Sequence, residues 1–172
     1  MELKGSCHCE KVKFSFLSHT PSPFLRCYCS ICRKCQGGGG YAINIMGVVN
    51  IYIYIYIFLL NQKSYINIRE YRALRDKKSG ELCGNKRYFC GECGSHLYAY
   101  CEEYADSIYP MACAIDTPLP FVEYKDIYHI MLNKDSKANW VIAPEMNSEK
   151  HAFSDYPDIS LEDWHKKNNR YV

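Results

Sequence analysis

The sequence predicts a mainly β domain pinned by metal, and three observations predict it. Eleven cysteines are present, and most fall into tight groups spaced as metal ligands are. Short segments of alternating polar and apolar residues recur between Pro and Gly punctuation, while sustained helical periodicity is scarce. The chain has 172 residues, 48% apolar and 23% charged, ordinary composition for one globular domain able to bury a core.

Each element follows in order. Lys11 to Leu17 (KVKFSFL) alternates polar and apolar side chains, the mark of a half-buried strand. Pro21 and Pro23 are expected to end that strand and return the chain to Cys27. Ser30 to Gln36 predicts one or two helical turns, capped by Ser30 and stopped by glycines 37–40. Tyr41 to Met46 reads as the next strand. Later strands are expected over Arg87 to Cys90, His96 to Cys101, Ser107 to Ile115 and Ile127 to Leu132, with a loop at Pro118 and Pro120. Ser160-Leu-Glu-Asp163 resembles a capping box before a short polar helix.

One stretch behaves differently. Val48 to Leu60 (VVNIYIYIYIFLL) has no charge and no polar face. As protein it predicts a fully buried strand or an aggregation-prone edge. The dinucleotide repeat ATATAT, read in frame, also encodes Ile-Tyr repeatedly. A second hypothesis therefore takes about Val48 to Tyr65 as translated intron or microsatellite. Sequencing the transcript decides between them, because a spliced message would lack the segment.

Charge and hydropathy exclude other classes. Lys plus Arg is 21 and Asp plus Glu is 19, a net charge of +2. That gives no support to nucleic-acid binding through phosphate neutralisation. The longest apolar run, Ile51 to Leu60, is ten residues, short of the roughly 20 that span a membrane. The start, MELKGSCHCE, lacks the apolar stretch of a secretory signal. The expectation is a soluble cytoplasmic protein in a reducing compartment, where dense cysteine points to metal rather than disulfides.

The groups are Cys7-His-Cys9, then Cys27-Tyr-Cys29-Ser-Ile-Cys32-Arg-Lys-Cys35, then Cys90-Gly-Glu-Cys93. Two thiolates one or two residues apart can close on one ion because the backbone between them turns back. A closed structural zinc site takes four protein ligands, and a catalytic one takes three plus an open position. Two arrangements follow. In the first, Cys7, Cys9, Cys90 and Cys93 close one site, leaving Cys27, Cys29 and Cys32 as an open one. In the second, Cys35 completes a four-cysteine site with the central group and nothing stays open. Cys83, Cys101 and Cys113 stand alone; Cys83 and Cys101 read as packing residues.

These residues carry a family resemblance. The runs are Gly5-Ser-Cys7-His-Cys9 with Val12-Lys-Phe14, Cys27-Tyr-Cys29-Ser-Ile-Cys32-Arg-Lys34, and Arg87-Tyr-Phe-Cys90-Gly-Glu-Cys93-Gly-Ser-His-Leu97. Together they resemble the glutathione-dependent formaldehyde-activating enzyme family, whose domain centromere protein V shares. Ala112 to Pro118, His129 to Leu132 and Asn139-Trp140 match later family signatures, so the likeness covers about residues 5 to 142. It implies a β-tent of antiparallel sheets folded over zinc as one domain over 1–172, with residues 143–172 as a C-terminal extension. It also implies two zincs per chain, a structural one on Cys7, Cys9, Cys90 and Cys93 and a catalytic one on Cys27, Cys29 and Cys32. The implied activity is that of a carbon–sulfur lyase, joining glutathione as co-substrate to a small carbonyl such as formaldehyde. The chain departs from the family at Glu10 and Cys113, where glycine is preferred, at the extra thiol Cys35, and over the segment that becomes recognisable again at about Tyr71.

Three thiolates and a vacancy suit thiol chemistry better than hydrolysis, because their negative charge weakens the zinc as a Lewis acid. Arg33 and Lys34 follow the third ligand directly and are assigned to binding, either offsetting charge or pairing with a glutathione carboxylate; the plainer alternative is a solvated turn. His8 is expected to point off the metal, and His96 to pack near the structural site. His129 is a candidate to face the open site with Asp116 as its orienting partner. The other function class is a zinc-stabilised binding module without catalysis.

Overall fold

The computed structural model describes residues 1–36, 42–48, 67–76, 78–145 and 150–172. The Ile-Tyr run, on which the buried-strand and intron readings bear, lies outside the described residues apart from Val48. The described chain forms strands β1 (Glu2–Ser6), β2 (Lys13–Cys27), β3 (Ala42–Val48), β4 (Ile68–Leu74), β5 (Leu82–Cys90), β6 (His96–Tyr100), β7 (Ser107–Pro110) and β8 (Tyr128–Ile130). Two seven-residue helices accompany them, α1 (Ser30–Gln36) and α2 (Leu161–Lys167). The protein is mainly β, as its alternating pattern requires.

The strands join in one curled sheet in the order β1-β2-β3-β7-β6-β5-β4, antiparallel throughout. β8 adds to β2 in the parallel sense, with Leu25 opposite Tyr128 and Cys27 opposite Ile130. Alternation places Phe14 and Phe16 inside while Lys13 faces solvent. β1 passes so close to its neighbours that a Cβ on Gly5 would lie 2.3 Å from the Ala114 carbonyl oxygen.

The strand beginning near Lys11 does not end at the prolines. β2 continues through Pro21 and Pro23 to Cys27. Its register against β3 advances from Thr20 opposite Met46 to Leu25 opposite Asn44. Five steps on β2 thus oppose two on β3, and the prolines lie in the bulge, where ladder N–H donors are not required. The Ser107 segment is shorter than expected: after Pro110 the chain turns into a 3-10 turn over Ala112–Ala114. Ser160 caps α2, accepting from the Asp163 N–H at 3.0 Å.

Three apolar clusters fill the interior among the described residues, a small one of Tyr28, Leu132, Val141 and Ala152 and two larger ones that each adjoin a cysteine group. Leu3, Val12, Phe14, Ile45 and Leu97 surround Cys7 and Cys90. Phe24, Leu25, Ile127, Ile130 and Trp164 surround Cys27 and Cys32. The residues beyond 150 belong to this second core. Phe153 N donates to the His129 carbonyl at 2.8 Å, and Trp164 stacks on Phe24 at a ring separation of 3.8 Å.

Candidate metal centre

Cys7 follows β1, and Cys9 lies in the turn to β2; Cys90 ends β5, and Cys93 lies in the turn to β6. Each turn closes on its own backbone, Glu10 N donating to the Cys7 carbonyl at 2.9 Å and Gly94 N to the Cys90 carbonyl at 2.8 Å. His8 N donates to Ser95 Oγ at 3.1 Å and ties the two turns together. All four sulfurs lie within 4.8 Å of one another, with Cys7–Cys9 at 3.5 Å and Cys9–Cys90 at 3.8 Å. Zinc–sulfur bonds of about 2.3 Å in a tetrahedron place sulfurs about 3.8 Å apart, so this donor set fits zinc. Val12 N donates to Cys7 Sγ at 3.3 Å, the backbone support a thiolate ligand needs.

Cys27, Cys29 and Cys32 form a second group, also within 4.8 Å. Cys27 ends β2, Cys29 lies in the link to α1, and Cys32 lies in the first turn of α1. Tyr28 between them is 2% exposed; its N–H donates to the Ile130 carbonyl at 3.0 Å. Anchoring the middle residue inward leaves the flanking sulfurs free to converge. Hydrogen bonds from the Cys27 and Cys32 thiols hold Cys29 far below the ordinary thiol range. The same contact with Cys29, together with the Cys32 contact and burial, pushes Cys27 up. Three sulfurs this close form a donor set suited to a metal cation.

Cys35 stands outside both groups. It lines a cleft of about 660 Å³ together with Lys34, His8, His96 and Asp116, between the four-cysteine turns and α1. Burial raises the Cys35 thiol. Arg33 Nε is withdrawn from solvent without a partner. Lys34 is exposed on the cleft wall.

One expectation about individual side chains changes, and one residue is added. His129 is not paired with Asp116: its Nδ1 shares a 2.8 Å hydrogen bond with Tyr28 Oη. Asp116 is held at β1, its N–H donating to the Lys4 carbonyl at 2.8 Å. The reason is the parallel placement of β8 on β2, which turns His129 into the core beside Tyr28 at 1% exposure. Arg87, which the sequence offers only as part of a motif, is the addition. Its Nη2 donates to Cys32 Sγ at 3.8 Å across a separation of 55 residues. A cation preceding the Cys90 pair is visible in the sequence, but no spacing connects it to the central group.

No helix of the described residues is long and apolar enough to cross a membrane. The family model for the glutathione-dependent formaldehyde-activating enzyme matches residues 2–132. A protein of Halomonas elongata, provisionally named a glutathione-dependent formaldehyde-activating enzyme, is 38% identical over 167 residues, 97% of this chain and 96% of that one. A solved Rhodobacter sphaeroides protein aligns with 68% of this chain and 91% of its own at 20% identity and a TM-score of 0.44. The family match across most of the chain and the end-to-end relative agree with the grouped cysteines, and the chain belongs to the glutathione-dependent formaldehyde-activating enzyme family.

Proposed function

We propose that this protein is a zinc-dependent enzyme of carbon–sulfur lyase type that joins, or in reverse separates, the thiol of glutathione and a small carbonyl such as formaldehyde. The carrying observation is the difference in donor number between the groups. Four sulfurs converge at Cys7, Cys9, Cys90 and Cys93, but three at Cys27, Cys29 and Cys32, with Cys35 left on the cleft wall. The first set would hold a structural zinc and the second a catalytic one, two per chain. Cys27, Cys29 and Cys32 would hold that zinc, whose chemistry there would be to favour the deprotonated form of a substrate thiol near neutral pH.

The chain's own residues do the rest. The sulfur anions of Cys27, Cys29 and Cys32 disfavour activation of water and leave thiol chemistry as the natural use of the site. The cleft beside α1 is roomy enough for a tripeptide, and Lys34 on its wall and Arg33 beside Cys32 would take the glutathione carboxylates.

The test is zinc content and sulfur coordination on protein purified without chelators, followed by carbon-13 exchange spectroscopy of formaldehyde with glutathione. Two zincs, a sulfur count that rises at one site on adding glutathione, and faster exchange than the uncatalysed reaction are expected. Two four-sulfur sites indifferent to glutathione, with no faster exchange, would leave a zinc-stabilised binding module instead.

A further inference from the structure

Arg87 is a cation with little visible employment. It sits in β5, opposite Tyr71 of β4 and Ala99 of β6. Among the described residues it makes no ion pair, and its one side-chain hydrogen bond is the Nη2 contact with Cys32 Sγ. Among the described residues its solvent-shielded Nε has no hydrogen-bond partner. Burying a guanidinium donor without a partner is costly, so a site that keeps one is poised for an anion that arrives later. Cys35, His96 and Tyr156 all lie within electrostatic reach of Arg87, and the first two of these line the cleft.

Resting on the function proposed above, we propose that Arg87 is a catalytic residue that stabilises the carbonyl oxygen of the electrophile as carbon–sulfur bonds form and break at the Cys27–Cys29–Cys32 cluster. In the forward step the electron pair of the substrate thiolate forms the carbon–sulfur bond. The carbonyl π pair moves to oxygen, and the resulting alkoxide takes a proton from water, replacing the one the thiol released. The reverse step returns that proton, re-forms the carbonyl and frees the thiolate. The oxygen is one carbon away from the attacking sulfur throughout, so the group that serves it must stand against the cluster. Arg87 does so through its Nη2 contact with Cys32 Sγ. Its charge is permanent, so it serves both directions without a proton transfer of its own.

The experiment compares the full-length zinc protein with Arg87→Gln and Arg87→Lys. Each variant is also loaded with cobalt, whose thiolate charge-transfer bands report both cluster integrity and thiol binding. Arg87→Gln is expected to keep two cobalt ions per chain and the wild-type affinity for glutathione and for 2-mercaptoethanol. Its turnover in formaldehyde–thiol exchange should fall by about 10²–10³-fold, the loss usual for an oxyanion donor. Arg87→Lys should fall between Arg87→Gln and wild type. Turnover within threefold of wild type would overturn the inference while leaving the proposed function standing. So would selective loss of glutathione binding at unchanged kcat, which would make Arg87 a carboxylate anchor. Failure of both variants to load the three-cysteine group would make it a structural support. An inactive wild type would overturn the proposed function itself, and this inference with it.

Discussion

Cys7, Cys9, Cys90 and Cys93 come from two hairpin turns far apart in the chain, whereas Cys27, Cys29 and Cys32 come from one strand end and the helix turn that follows. The first cluster therefore ties β1 and β2 to β5 and β6. A cation there closes a long loop, and binding and folding become one event. The second cluster cross-links almost nothing, because its three sulfurs are already neighbours in sequence. Its surroundings are instead unusually complete: a core shared with α2, the Tyr28–His129 pair and a guanidinium on Cys32. On the proposed function, the same ligand type serves architecture in one place and is left free for chemistry in the other.

The largest expected effect would break this contrast if it failed. Cys90→Ser, at a position 0% exposed in the sheet core, should abolish cooperative thermal unfolding followed by circular dichroism. Cys29→Ser should leave a cooperative transition, lower zinc from two to one per chain and remove exchange activity. Equal damage from both would mean that the three-cysteine group is structural too.

Next in size, Trp164→Ala should cost about 3–5 kcal/mol by urea denaturation, the usual range for a buried tryptophan. Trp164 is 2% exposed and stacks on Phe24 within the cluster that contains Cys27 and Cys32. Cobalt spectra of the variant should change at the three-cysteine group and not at the four-cysteine one, sharpening the link between α2 and the open site.

Acid should act first on the same region. His165 is 1% exposed; its Nε2 accepts the Ser22 N–H at 3.0 Å and its Nδ1 donates to the Leu161 carbonyl at 2.7 Å. Burial lowers its affinity for a proton. Burial likewise lowers His129, to about 4. A folded value below the unfolded one means that the unfolded chain binds more protons between them. The stabilisation is therefore full above the unfolded value of about 6.5 and lost as pH falls through the folded one, near 4 for His129. The urea midpoint should drop over that window, and His165→Gln should flatten the slope.

The smallest effect belongs to the four-cysteine turns. Glu10 has φ +57°, a left-handed conformation where the family prefers glycine, and its ion pair with Lys13 is exposed. Glu10→Gly should stabilise the chain by up to about 1 kcal/mol in thermal melts.

Both cysteine clusters are legible in the amino-acid order itself. Spacing makes the Cys7–Cys9, Cys90–Cys93 and Cys27–Cys29–Cys32 groups visible, because ligands one to three residues apart converge through local turns alone. Alternation discloses strands such as Lys13 to Leu17, and Ser160 with Asp163 discloses the start of α2, since capping is a contact over a single turn. β1 and β4 escape the pattern because neither stands out from its own side chains: β4 is largely exposed along its length, and β1 is short and runs into the Cys7 motif. The prolines of β2 mislead because their tolerance depends on a bulge opposite β3, a property of the pair.

What tertiary structure alone decided is which distant groups meet. It chose Tyr28 rather than Asp116 as the partner of His129, left Cys35 on the cleft wall rather than in the cluster, and brought Arg87 to Cys32 from 55 residues away. Each depends on strand order and register, which long-range packing selects from many locally equivalent choices. The sequence determined which atoms can bind a metal; the curl of the sheet determined which of them converge and what faces them.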